Sequence, residues 1–468
     1  MNVSIAHERS ISELSVVSAK RWARTDKAYF SAFVFATLLC FSPSKLLAYF
    51  APIVVVALFI VVARKTGTLQ RVLLVVSLSM LIIIFYALMK NHFAFVSAIV
   101  QLLTYSSFLV TVAIDHRYLR NPELQTRIEN FVRWVVLVQS GVGITQAIHS
   151  FVQAGTFDSN SGDAVAGTIS ASLLPDGTLS NYMFGVNLTF ILLFLVPSAL
   201  LKRKGRWVLL LAAATFVFTS VIHVMIFLSI SFVIAFVLCR PPLPKGWTKI
   251  IVFSATGGII IAATTLLSTN WLSLPRMIQG VTSGEYPRGR AYERVFGVMT
   301  SEYPLMPIIG LGPGQFSSRA AAMTSGYYLG GIDNPNGLPL LPKSMSQAFN
   351  TYLLDLWFQS KDSAGSTSQP FSSWLATYTE FGGVTVLSLI AILGYHIVKI
   401  VLLTYRTKHR WLGTVWCTSV LFLFLLGFQD TYWEVPQAIL LGVMLIKILQ
   451  ANIFVITLDH RSLVQIAR

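Results

Sequence analysis

The residues best suited to chemistry are concentrated in one stretch, Arg288 to Phe316, with the sequence RGRAYERVFGVMTSEYPLMPIIGLGPGQF. Arg290 and Arg294 fall one turn apart if 290–302 is helical, so two planar, permanently charged guanidinium groups face the same way, with Arg288 beside them. That spacing suits a pyrophosphate or a carboxylate, and a helix start near Arg290 would add free backbone N–H groups for the same anion. The competing reading is local pairing of these arginines with Glu293 and Glu302. Gly310, Gly312, Pro313 and Gly314 then predict a tight turn with an exposed backbone that something large can approach. The turn follows no clear strand and has no downstream ribose acid, so it does not read as a nucleotide loop. Arg319 extends the basic lining. For proton transfer the region offers Glu285, Glu293, Glu302, Asp333 and Asp355, none of them paired by spacing.

The elements that must position these side chains are set by composition. Of 468 residues, 54% are hydrophobic and only 12% charged, and the mean hydropathy is +0.68; a soluble domain carries about 25% charge. Apolar runs long enough to cross a hydrocarbon core recur along the chain without alternating, which predicts an all-α polytopic membrane protein and excludes a barrel. The expected spans are 28–42, 46–63, 72–89, 92–114, 132–152, 182–201, 207–222, 223–239, 248–269, 375–403, 411–428 and 433–454. Residues 1–27 are polar and mixed in charge, so the first run is expected to be retained rather than cleaved.

Loop charge sets the orientation. Lys20, Arg21, Arg24, Lys27, Arg64, Lys65, Arg71, Arg117, Arg120, Arg127, Arg133, Lys202, Arg203, Lys204 and Arg206 mark cytoplasmic loops, whereas 154–181 carries no Lys or Arg. Splitting 207–239 into a short hairpin places Arg240, Lys245, Lys249, Arg406, Lys408 and Arg410 inside as well. About twelve spans result, with both termini cytoplasmic. The domains expected are a tail over 1–27, spans over 28–269, a functional extracytoplasmic loop over 270–372, and spans plus a tail over 373–468.

Within that loop Phe349, Tyr352, Leu353, Leu356 and Trp357 follow helical spacing, with Asn350 and Asp355 on the polar side. This is either an interfacial helix or a core helix of the loop. The Ser/Gly-rich patch at 363–368 reads as flexible loop. Gln139 and Gln146 share a helix face and predict an interhelical polar seam, and His223 reads as a packing hydrogen bond. Asp430 and Glu434 read as solvated turn charges. Cys40, Cys239 and Cys417 have neither metal-ligand nor disulfide-frame spacing, and no metal or cofactor is expected. The net charge of +16 is accounted for by orienting loops, so nucleic acid is not an expected partner.

The run Arg290 … Pro304-Leu305 … Gly310-Leu311-Gly312-Pro313-Gly314-Gln315-Phe316 resembles a pattern of the O-antigen ligase and polysaccharide polymerase family. Ser372-Ser373-Trp374-Leu375 … Glu380-Phe381-Gly382-Gly383, leading straight into a span, and the Asp430 … Pro436 hairpin are similar to later parts of it. The resemblance implies a GT-C-like membrane architecture with one large periplasmic loop between the ninth and tenth spans, in the bacterial inner membrane. It implies metal-independent glycosyl transfer from an undecaprenyl pyrophosphate-linked oligosaccharide, with Arg290 as the loop arginine and Arg288 and Arg294 as neighbours. Membrane lipids, a chain-length regulator and export machinery are the implied surroundings. Where the ligase pattern has a histidine this chain has Phe371-Ser372-Ser373, and where it has a mid-chain Ser-Arg this chain has Thr219-Ser220-Val221. Both departures argue against a ligase and leave the base unassigned, which points to a polymerase of exopolysaccharide or O-antigen repeats in which Glu302 or Asp333 replaces the histidine or deprotonation is late and needs little help. A ligase acting on lipid A-core and a lipid-linked oligosaccharide flippase are the alternatives.

Overall fold

A computed structural model describes residues 25–43, 45–89, 92–154, 165–170, 180–201, 205–242, 275, 278–327, 342–361, 369–407 and 409–466. The chain is all-helical among these residues, and eight of its helices are long and apolar enough to cross a membrane. It is a membrane-embedded protein. In chain order the helices before the polar segment are α1 (25–40), α2 (Lys45–Thr66), α3 (Leu69–Met89), α4 (Phe95–Thr104), α5 (Val110–Ala113), α6 (Pro122–Ala154), α7 (Ser180–Leu201), α8 (Arg206–Phe218) and α9 (Ile222–Cys239). The polar segment contributes α10 (Pro287–Phe296), α11 (Val298–Glu302), α12 (Met306–Ile309), α13 (Arg319–Thr324), α14 (Gln347–Tyr352) and α15 (Leu354–Lys361). Three long helices close the chain: α16 (Ser373–Arg406), α17 (Arg410–Gln429) and α18 (Pro436–Ile466). The expected span 248–269, Asp333 and the 363–368 patch lie outside the described residues.

Burial separates central helices from lipid-facing ones. Residues 184–195 of α7 are buried without interruption, as expected of a helix apolar on every side that is enclosed by others. By contrast α3 exposes Leu74, Leu81, Phe85 and Leu88 along most of its surface. The 207–239 run, expected as two spans, forms two helices, of which α9 is long and apolar enough to cross a membrane and α8 is a shorter apolar helix. Helices α8 and α9 break at Thr219–Val221, where Ser220 has φ of +51°. The span expected at 92–114 is α4 and α5 joined by a 3₁₀ turn, Tyr105–Leu109.

Gln139 and Gln146 do not bridge two helices. They clamp a 3₁₀ turn, Gly167–Ile169: Gln146 Oε1 accepts from the Ala166 and Gly167 amides at 3.0 and 2.9 Å, and Gln139 exchanges two bonds with Thr168. A primary amide offers a donor and an acceptor together, which satisfies both halves of a buried peptide unit.

The polar segment has its own apolar core, built from Ala291, Val295, Phe316, Phe349, Leu356 and Trp357 among others. The amphipathic piece is therefore a core element of this segment. Phe349, Leu353 and Leu356 are fully buried while Asn350 and Asp355 are exposed, and the stripe is divided between α14 and α15 by the non-helical Leu353.

Candidate functional site

Helix α10 begins at Pro287, whose fixed φ suits a first helical position, and buries one face: Arg288, Gly289, Ala291 and Val295. The three arginines part company on it. Arg288 is buried, with Nε donating to the Gln369 carbonyl at 3.0 Å and Nη2 to the Phe371 carbonyl at 3.4 Å. Arg290 donates to the Gln359 side chain. Arg294 forms a bidentate pair with Asp355, both N–H···O distances being 2.7 Å, and also donates to the Tyr352 carbonyl. Thus Arg290 and Arg294 fasten α10 to α15 rather than converging on one point, and the partner of Arg294 is Asp355 rather than Glu293 or Glu302. The Asp355 side chain is 47% exposed, so the pair is screened by solvent. Asp355→Asn is expected to cost no more than about 1 kcal/mol in thermal unfolding and to leave any activity intact.

Glu302, at the exposed end of α11, hydrogen-bonds the Tyr352 phenol and pushes it up to about 12. The glycine turn is not an open approach for a ligand. Gly312 packs against the rings of Tyr86 and Phe93, and Gly314 against the Ser97 backbone. The large neighbour that the glycines admit is the protein itself.

What holds that turn is Glu380, fully buried on the second turn of α16. Its Oε2 accepts from the Gly314 amide at 2.7 Å, and its Oε1 from those of Phe316 and Ser318 at 3.0 and 3.2 Å. The α16 backbone adds two bonds, from the Leu311 amide to the Thr379 carbonyl and from the Gly312 amide to the Glu380 carbonyl, each 2.8 Å. The turn then delivers Arg319 to a cavity of about 30 Å³ whose lining includes Tyr182, Gln369, Phe371, Asp430 and Tyr432. Arg288 stands directly behind the Gln369 and Phe371 carbonyls in this wall.

The cavity's electrostatics centre on Asp430. Burial pushes its carboxyl up, while Arg288, the Thr431 amide (2.6 Å from Oδ1) and Arg319 hold it down. Burial lowers the Arg288 guanidinium, and Asp430 opposes that shift. The Tyr432 phenol, 2.8 Å from His223 Nε2, is raised well above its ordinary value by burial and by Asp430. Glu434 accepts the Arg319 amide at 2.7 Å, and burial plus the nearby Glu380 carboxylate raise it well above the usual carboxylate range. The result is a small cavity at the α17–α18 turn lined by the Arg319 guanidinium, the Asp430 carboxyl and the Tyr432 phenol, with Arg288 and His223 behind its wall. These group types are the ones that bind an anion and exchange a proton, although the cavity as it stands is too small for more than about one water.

Of the residues singled out from sequence, Arg288 and Arg319 meet here around Asp430. Arg290, Arg294 and Glu302 are held elsewhere in the polar segment, Gly312 and Gly314 shape the turn, and Asp333 lies outside the described residues. Tyr432 carries no signal in the sequence, and Asp430 and Glu434 read there as solvated turn charges. Glu434 is in fact almost completely buried and Asp430 partly so, while His223 makes a packing hydrogen bond as expected, to Tyr432. Among the described residues no group of three or more His, Cys, Asp or Glu is placed to hold a metal ion. No family model, curated protein or solved structure matches the chain. The chemistry of the site is the guide to what it does.

Proposed function

We propose that the protein is a membrane-embedded glycosyltransferase of the polysaccharide polymerase kind, moving a growing glycan from a lipid pyrophosphate to the hydroxyl of an incoming lipid-linked repeat. The observation that carries this reading is the placement of Arg319 and Asp430 on one small cavity, with Arg288 behind its wall and close enough to act on Asp430. As the bond from the acceptor oxygen to the anomeric carbon forms, the bond from that carbon to the pyrophosphate oxygen breaks, and the lipid pyrophosphate leaves with the electron pair. Arg319, backed by Arg288, stabilises the charge growing on that leaving group, which is the largest contribution a fixed site can make. Asp430 takes the proton released by the acceptor hydroxyl; burial makes it a better base than a solvated aspartate. At about 30 Å³ the cavity has room for roughly one water. Substrate entry therefore requires the α13 wall to part from the 430–435 turn.

The test is the size of lipid-linked glycans in cells carrying Arg319→Gln, Asp430→Asn or Arg290→Ala, beside wild type and a deletion. The expected result is that single repeats accumulate on the carrier in the first two variants, with at least about a hundredfold less polymer, while Arg290→Ala retains most of it. Polymer that forms on the carrier and is never passed on identifies a ligase. Repeats that never reach the outer face identify a transporter. Normal polymer in both cavity variants sinks the site.

A further inference from the structure

A second cavity, of about 430 Å³, opens where α6 passes the start of α8, and its lining includes Asn130, Arg133, Trp134, Leu137, Trp207 and Val208. Its size falls within the range of small-molecule sites. Two observations give it a chemical character. The indoles of Trp134 and Trp207 are 67% and 61% exposed. Exposed tryptophans on membrane helices belong at the level of lipid headgroups, where one end of the ring is apolar and the other wet. The second observation is the placement of positive charge. Gly205 joins α7 to α8 with φ of +74°, and a Cβ there would lie 3.0 Å from Arg133 Nε and 3.1 Å from its Cζ. The missing side chain is what lets the guanidinium lie against the backbone of the turn.

Arg133 also donates to Glu129, one turn before it on α6. Arg206 ties a second guanidinium to the same turn, its Nε donating to the Ala199 carbonyl at 3.1 Å. Helix α8 starts behind Gly205, which supplies no side-chain cap, so the positive end of the helix dipole adds to the field. Against these cations stands Glu129. The groove thus has Arg133, shared with Glu129, and the uncapped start of α8 at one end, is apolar along Leu137 and Val208, and is flanked by two indoles.

We infer that this groove is a binding site for a phospholipid with an anionic phosphodiester headgroup, its phosphate at Arg133 and the α8 N-terminus and its glycerol and first acyl carbons between Trp134 and Trp207. The site is separate from the Asp430 cavity and independent of any transferase activity.

The test uses the full chain in nanodiscs of phosphatidylcholine containing a minority of phosphatidylglycerol, with retained lipid counted by native mass spectrometry. Wild type is expected to retain phosphatidylglycerol well above its share of the bilayer. Arg133→Gln should reduce that preference about fivefold, the worth of one cation near a lipid surface. Trp207→Leu should weaken it too, and it carries the same expectation should the arginine variant fail to fold. Arg406→Gln, an exposed cation at the end of α16, should change nothing. Retention in proportion to bilayer composition, or undiminished preference in both groove variants, overturns the proposal. Displacement of phosphatidylglycerol from wild type by millimolar inorganic phosphate would make this a free-anion site and overturns the lipid assignment.

Discussion

Replacing Glu380 by alanine is expected to lower stability by about 4 kcal/mol or more and to open the 312–319 turn to proteases. The carboxylate is the acceptor for three buried amides, those of Gly314, Phe316 and Ser318. Removing it leaves all three donors without a partner in an enclosed region, at about 1–3 kcal/mol each. The desolvation cost of burying the carboxyl is relieved at the same time, which places the expected total below the sum of the three. Glu380→Gln separates these effects. Its amide oxygen can still accept from Phe316 and Ser318, but its NH₂ then meets the Gly314 amide, donor against donor, so an intermediate loss is expected. Thermal unfolding in detergent, together with the position of the first proteolytic cut, measures both. An alanine variant within about 0.5 kcal/mol of wild type would show that the turn is held by packing alone.

Gly382→Ala is expected to prevent the protein from accumulating in a folded form. Helix α16 is interrupted at this residue, which has φ of +82° and ψ of 169°, a conformation open essentially to glycine alone. A Cβ there would also overlap the Ile308 carbonyl, and one at Gly383 would lie 2.7 Å from the Pro307 carbonyl oxygen. Strain and overlap act together, and both partners are backbone, which cannot rotate away. The control lies in the same helix. Gly394 has no neighbour within 4 Å of where its Cβ would be, so Gly394→Ala should be neutral or stabilise by about 0.5–1 kcal/mol through helix propensity. Yield and monodispersity of the two variants after solubilisation decide the matter. Equal recovery of Gly382→Ala and wild type would refute the structural account of the break.

The helical class was legible because lipid-spanning runs carry their own signature, and the break in the 207–239 run was legible because that run is too long for one ordinary span. The core of the polar segment was half legible: the Phe349–Trp357 spacing gave a helical face, but spacing cannot say whether a face meets lipid or protein. The site was less legible. Arg290 and Arg294 share a helix face in sequence, yet Gln359 and Asp355 on another helix take them up, and such cross-element partners leave no periodic trace. Asp430 and Glu434 sit in a short turn between two apolar runs, where solvated charges are common; only the packing of 312–319 and 369–373 over that turn buries Glu434 and partly covers Asp430. For Glu380 a signal was present, since an acid opening an otherwise apolar helix is costly and tends to be kept for a purpose.

The interruption of α16 also bears on how the protein meets bilayers of different thickness. Residues 373–381 are joined to the 311–318 turn by the hydrogen bonds of Thr379 and Glu380, whereas the continuation beyond Gly382 exposes Leu387, Ile392 and Val398. A long apolar helix answers a thinner membrane by tilting. Here the longer rod can tilt about its glycine joint while the shorter one stays docked on the turn that carries Arg319. The expected consequence is that a change of lipid around the helix leaves the spacing of Arg319 and Asp430 unaltered.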